Sequence, residues 1–370
     1  MTDPRIDRLA QVMVHYSLDI KPGQKIAITS SHLAEELVYA VYRQAIMAGA
    51  HVHTDIRLPL LQEIFFKNAT DEQLDFVPPL DALVMTEFDA LLSIMADSNT
   101  KRLSGIDPER IARARRAGAP MMKTIHQRAA RMEVRWCVTL YPTSSAAQDA
   151  EMGLEDYREF VYGAGMLNEA DPVAFWKAEG ERQRAMCNWL KGRDRVIIKG
   201  DNIDLTLSIR DRTFVEADGR YNFPDGEIFT GPVEDSVNGW VRFSYPAIYG
   251  GQEVSDIELW FEDGKVVKEK ADKNQELLTG MLDMDAGSRY LGEWGIGTNY
   301  GIQRFTKNML FDEKIGGTIH LALGASYPET GGKNDSGLHW DMLCDMAHSE
   351  IHVDGDLFYR DGKPVAELAG

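Results

Sequence analysis

Residues 23–58 read "GQKIAITSSHLAEELVYAVYRQAIMAGAHVHTDIRL", and this stretch limits what the chain can fold into more than any other. "GQKIAITS" has the length and apolar content of a strand. Ser31 has the chemistry of a helix N-cap. "HLAEELVYAVYRQAIMAGA" spaces its apolar residues at helical intervals until Gly49 stops it, and "HVHTDIRL" returns to strand character. Strand, helix, strand in that order is a βαβ unit, so the N-terminal part is expected to be an open α/β sheet. "DALLSIMA" and "EVRWCVTLYP" add strands. "DPERIARARRAG" adds a helix with Asp107 as cap and Pro108 in its first turn, and "LEDYREFVYGAG" and "DPVAFWKAEGERQRAMCNWLKG" add two more, the last ending near Gly192.

From about residue 194 the texture changes. "RVIIKGDNIDLTLSIRDRTFVEADG", "WVRFSYPAIYGG" and "SDIELWFEDGKVVKEKA" alternate β-branched or aromatic residues with polar ones, and Asp263-Gly264 marks a hairpin turn. One helix is expected near residues 271–283. "IHVDGDLFYRDGKPV" closes the chain with strands joined by Asp-Gly turns. The expected organisation is an N-terminal α/β domain over 1–193, followed by an α+β, mostly antiparallel β domain over 194–370.

At 370 residues the chain is long enough for substantial cores. A net charge of −18 argues against nucleic acid and anionic membrane surfaces as partners, because nothing offsets phosphate repulsion. Cys137, Cys187 and Cys344 are far apart with no C-x-x-C, which argues against a disulfide framework and fits a reducing cytoplasm. "MTDPRIDRLAQVMVHYS" lacks the basic and apolar regions of a signal peptide, and no apolar run reaches membrane-spanning length.

Within the β-rich half, "GGKNDSGLHWDML" sets His339 and Asp341 two residues apart. In a strand they share a face while Trp340 packs behind. An imidazole and a carboxylate aimed at one point form a divalent-metal pattern. The same half holds His320 in the β-like run "GTIHLALGASYP", with Tyr327 seven residues on. Glu227 lies amid Gly and Pro in "PDGEIFTGPVEDSVNG", Glu293 between glycines in "RYLGEWGIGTN", and Glu313 in "FDEKIGG". Taken singly each has a bland account: Glu227 as a hairpin surface carboxylate, Glu293 as a turn cap, His320 as a core histidine, Tyr327 as packing before Pro328. Together they make an N/O ligand set suited to Zn²⁺, Co²⁺, Mn²⁺ or Fe²⁺, with more carboxylates than one ion needs. A competing pattern, His51, His53 and Asp55 in "HVHTD", lies on one face of an N-terminal strand with no motif around it. "HSEIH" at 348–352 misplaces its glutamate for H-E-x-x-H. There is no G-x-S-x-G, P-loop or G-x-G-x-x-G after a strand, which disfavours serine hydrolase, nucleotide-hydrolysing and dinucleotide-binding readings.

The motifs "EIFTGPVEDSVNG", "LGEWGIGTN", "HLALGASYPETGG" and "SGLHWDM" resemble those of the M29 metallo-aminopeptidases, the aminopeptidase T group. "KPGQKIAIT", "AGAHVH" and the stretch holding Arg135, Trp136, Pro142 and Thr143 extend the resemblance over nearly the whole chain. It implies that Glu227, Glu293, His320, His339 and Asp341 are ligands of a two-metal centre, with Glu313 as a further ligand at a looser spacing from His320. It implies that Tyr327 is catalytic. The expected activity is removal of the N-terminal residue from small peptides by a water activated between two divalent ions, Zn²⁺ or Co²⁺ with Mn²⁺ or Fe²⁺ also compatible. Glu293 would accept the proton and Tyr327 would donate to the oxyanion. A homodimer whose N-terminal domain helps enclose the site is also implied. The segment between Tyr327 and His339 is shorter than in better-known members, so substrate preference does not transfer. The alternative from the same fold is a mononuclear-iron, ring-cleaving dioxygenase of the dihydroxypyridine type; retention of both Glu227 and Glu293 favours hydrolysis.

Overall fold

Lys25–Ser31 and His51–Arg57 lie side by side as parallel strands, in register from Lys25 opposite His51 to Ser31 opposite Arg57. The connection is the helix Glu35–Met47. Ser31 caps the turn that precedes it by accepting from the Leu33 amide, and Gly49 follows its end at φ +82°. In this computed structural model, which describes residues 3–365, Ala90–Met95, Arg135–Leu140 and the short Asn222–Phe223 complete an all-parallel sheet. The strand order is His51–Arg57, Lys25–Ser31, Ala90–Met95, Arg135–Leu140, Asn222–Phe223. Ile26, Ile28, Leu92 and Ile94 are buried, as are Leu37 and Val41 on the helix. The expected α/β sheet is therefore present.

The chain forms two units. One runs up to Val173 and takes in Gly219–Pro224; the other comprises Ala174–Asp218 and the residues from Asp225 onward. These differ in detail from a division at 193/194. The helix Pro172–Leu190 falls almost wholly in the second unit, because Met186 and Leu190 join that unit's core. Residues 219–224 return to the first unit because Asn222–Phe223 pairs with Val138–Thr139. The helix expected at Asp107 runs further than its opening suggests, over Pro108–Ala130 and through Pro120.

The second unit is mostly antiparallel. An eight-stranded sheet includes Arg195–Gly200, Ile203–Ser208 and Ser349–Val353, and its alternating Val196, Ile198, Leu205, Leu207, Ile351 and Val353 are buried. A five-stranded sheet has the order His339–Asp345, Thr318–Gly324, Leu291–Gly297, Glu227–Thr230, Val215–Ala217, antiparallel throughout. The Asp-Gly turns are as the sequence implies, with Asp263, Asp354 and Asp361 and the glycine after each at positive φ. No helix among the described residues is long and apolar enough to cross a membrane.

Candidate metal centre

Past a register shift between Leu291 and Glu293, the five-stranded sheet builds the site by alternation. Trp294 and Ile296, Ile319, Leu321 and Leu323, and Trp340, Met342 and Cys344 all enter the core cluster of the unit. The intervening residues share the opposite face. These are Glu293, Gly295 and Gly297 on one strand, His320, Ala322 and Gly324 on the next, and His339 and Asp341 on the third. Cross-strand register aligns Glu293, Ala322 and Asp341 in one row, pairs Gly295 with His320 and Gly324 with His339, and brings Glu227 opposite Gly297. The small residues keep the face open. A Cβ on Gly295 would fall 2.0 Å from His320 Nε2, so the imidazole occupies the volume that only glycine leaves free.

His320 Nε2 lies 3.2 Å from Glu227 Oε2 and 3.2 Å from Glu293 Oε1. His339 Nε2 lies 3.4 Å from Glu293 Oε2 and 3.7 Å from Asp341 Oδ1. Two groups of ligand-type atoms result, Glu227 with Glu293 and His320, and Glu293 with His339 and Asp341, each with its atoms within 4.8 Å of one another. Glu293 belongs to both, one oxygen facing each imidazole. His339 Nδ1 donates to the Ala325 carbonyl at 2.9 Å, which leaves Nε2 to face the carboxylates.

The electrostatics call for a cation. Glu227, Glu293 and His320 are at most 5 % exposed. Burial raises the Glu227 carboxyl to about 8 and Asp341 to about 6. Glu293 is held at about 2, since hydrogen bonds from His320 and His339 overcome the upward push of burial. Burial would lower both imidazoles, yet the hydrogen bond to Glu293 and the surrounding carboxylates raise each to about 10. Glu227 Oε2 is buried and accepts no hydrogen bond among the described residues, with the His320 ring nitrogen beside it at 3.2 Å. A carboxylate oxygen left so is unfavourable without a cation to coordinate. Divalent ions supply that charge with the histidines neutral, and the N/O donor set fits them.

Tyr327 sits at the rim. Its ring stands edge-on to His339 at 5.1 Å between centroids and 5.6 Å from Phe229, and the residue is 42 % exposed. Burial of the phenol holds its pKa well above the usual value. Glu313 belongs to neither ligand group; it bonds Lys314. Lys314 is the residue sequence reasoning missed. It is fully buried, with Nζ 3.2 Å from Glu227 Oε1 and 4.0 Å from Asp225 Oδ1. Nothing local in "FDEKIGG" separates it from a solvated lysine, since its partners are supplied by distant strands.

His51 and His53 are exposed on an edge strand, and neither they nor Asp55 belong to a ligand group among the described residues. Asp55 instead pairs with Arg57 at 2.7 Å. In "HSEIH", His352 contacts Glu350 at 2.9 Å on the Ser349–Val353 strand.

A family profile described as thermophilic metalloprotease (M29) matches residues 2–364. Aminopeptidase 2 of Geobacillus stearothermophilus is 29 % identical, covering 99 % of both chains. Aminopeptidase T of Thermus thermophilus is 28 % identical over 96 % of this chain and 95 % of its own. The solved structure of wild-type AmpT from Thermus thermophilus superposes with a TM-score of 0.84 at 25 % identity, over 98 % of this chain and 99 % of that one.

Proposed function

The chain belongs to the M29 metalloproteases, peptide-bond hydrolases, and from that premise we propose a metal-dependent aminopeptidase that removes the N-terminal residue of small peptides at a two-ion centre. The observation that carries this reading is the sharing of Glu293 between two ligand groups. Glu227, Glu293 and His320 would hold one ion, and Glu293, His339 and Asp341 the other. The donor set suits Zn²⁺ or Co²⁺, with Mn²⁺ or Fe²⁺ also compatible. When bound, such ions lower the pKa of a water toward neutrality and polarise the scissile carbonyl.

The chain's own residues do the rest. His339 is locked by Ala325 in the tautomer that presents Nε2. Glu293 is the carboxylate assigned to accept the water's proton. Tyr327, its phenol held protonated, donates to the developing oxyanion. Lys314 neutralises part of the carboxylate surplus at Glu227 and Glu313.

The ring-cleaving dioxygenase alternative finds no support, and the relatives described above are aminopeptidases. A homodimer is part of the reading. It is supported by the helices Pro59–Asn68 and Pro79–Glu87, which leave Leu60, Leu61, Ile64, Leu80 and Leu83 exposed. The free cysteines suit a cytoplasmic location. The test is release of product from aminoacyl p-nitroanilides by chelator-stripped protein refilled with Co²⁺ or Zn²⁺. Activity should return with the ion and disappear when the substrate's α-amine is blocked. Absence of release across a broad peptide panel with every divalent ion would overturn the reading.

A further inference from the structure

The segment that follows Tyr327 is tied down by two charged side chains outside the ligand groups. Arg212 lies in the turn after the Ile203–Ser208 strand, and its side chain is only 6 % exposed. Its Nη1 donates to the Gly331 carbonyl, and Nη2 donates to Glu234 Oε2 at 2.7 Å. The other oxygen of that carboxylate accepts the Lys333 amide at 2.6 Å. Next to these, the Thr213 amide donates to the Thr330 carbonyl at 2.9 Å. Thr330 Oγ1 in turn donates to the Tyr327 carbonyl at 2.6 Å. Arg212 and Glu234 thus hold residues 331 and 333, and the adjoining Thr330 holds the Tyr327 carbonyl.

The path of this strap is also sterically defined. Gly331 sits at φ +82°, and a Cβ on Gly332 would fall 2.4 Å from Ser326 Cβ. The Tyr327 ring packs against His339 and Phe229 but is more exposed than the ligand side chains, so its position also depends on where its backbone is held. A guanidinium suits this task because its planar fork can hold a carbonyl and a carboxylate at once.

We propose that Arg212 and Glu234 form a clamp that positions Tyr327 by holding residues 328–333 as a fixed strap. The strap is then a rigid wall of the site and does not open as a lid. The clamp presets the phenol for the transition state, so no ordering is required during the reaction. The inference rests on the reading that Tyr327 acts in peptide hydrolysis.

The test compares the wild-type enzyme, Arg212→Met, Tyr327→Phe and the double variant, each loaded with Co²⁺ and assayed on an aminoacyl p-nitroanilide. Arg212→Met should lower kcat roughly ten- to a hundredfold, the scale of a small misplacement of a reacting group. KM and bound-ion content should stay unchanged. Amide hydrogen exchange should quicken at 326–333 and not on the strands that carry the ligands. In the Tyr327→Phe background, Arg212→Met should lower kcat by less than about twofold, because the clamp then has nothing left to position. Losses that multiply in the double variant would overturn the proposal, as would unchanged exchange at 326–333. Glu234→Gln, which keeps the shape of the carboxyl and removes its charge, carries the same comparison should Arg212→Met not fold. A Tyr327→Phe enzyme with full kcat would remove the tyrosine from the reaction and with it the positioning role. The exchange arm would still report whether Arg212 and Glu234 hold the strap.

Discussion

Two strands of this protein carry histidine and aspartate in the same alternation, and only one gathers a site around them. His51, His53 and Asp55 lie on an edge strand whose single neighbour offers Lys25, Ala27 and Thr29 in register. His339 and Asp341 also lie on an edge strand, but the successive strands across that sheet bring His320, then Glu293, then Glu227 onto the same face. The alternation supplies a direction to side chains in both cases. Convergence needs a second and a third strand with complementary residues, and small residues between them to leave room. The lesson is that an H-x-D triplet acquires chemical meaning from its cross-strand neighbours.

The contrast is broken most severely by exchanging one histidine on each strand. His339→Ala should lose bound ion and with it almost all peptidase activity, whereas His53→Ala should keep both; ion content after dialysis and the p-nitroanilide assay read the difference. If His53→Ala lost the ion instead, the roles of the two strands would be reversed.

Lys314→Met probes the charge balance behind the converging strand. Removing the ammonium leaves Glu227, Glu313 and Asp225 facing one another inside the protein. Breaking a buried ion pair in this way costs about 3–5 kcal/mol. Thermal unfolding in chelator should show a large fall, and a stability equal to wild type would show that Lys314 has no such role.

Gly295→Ala tests the room between strands. The added methyl would meet His320 Nε2, so the ring must shift or the strands part, at about 1–3 kcal/mol for an overpacked site. Ion affinity should fall together with stability. Unchanged ion affinity would mean that the His320 position is not set by this glycine.

Much of this contrast was legible in the sequence and some was not. The alternation of Trp340 with His339 and Asp341, the isolated His320 in an apolar run, and the Asp-Gly turns follow from local pattern, because strand period and turn chemistry are local physics. Glu293 between glycines pointed to crowding, and the structure shows Gly295 making space for His320. Lys314 was not legible, since its burial depends on carboxylates brought from residues 225 and 227. Nor was the return of Asn222–Phe223 to the first sheet, as two residues carry no periodicity. The short helices at Pro59–Asn68 and Pro79–Glu87 escaped because their apolar residues face outward and leave no amphipathic stripe.

A slight effect is expected at Asp285, which meets the chain beyond the strap, at Ser336 and Gly337. The Gly337 amide, against burial and with help from Ser336, Ser288 and Gly287, holds the Asp285 carboxyl at about 2. Its folded-state pKa lies below the usual aspartate value of about 3.9, so its contribution is complete above about pH 4 and is lost as pH falls through about 2. Asp285→Asn should therefore melt slightly lower than wild type near neutrality, with the gap closing between about pH 4 and pH 2. A gap that stayed constant over that range would show that the charge of Asp285 contributes nothing.

Anomalous scattering from crystals grown with Zn²⁺ locates the bound ions. Density should appear among Glu227, Glu293 and His320 and among Glu293, His339 and Asp341, with Glu293 touching both ions. Density confined to His51, His53 and Asp55, with none beside Glu293, would contradict this placement.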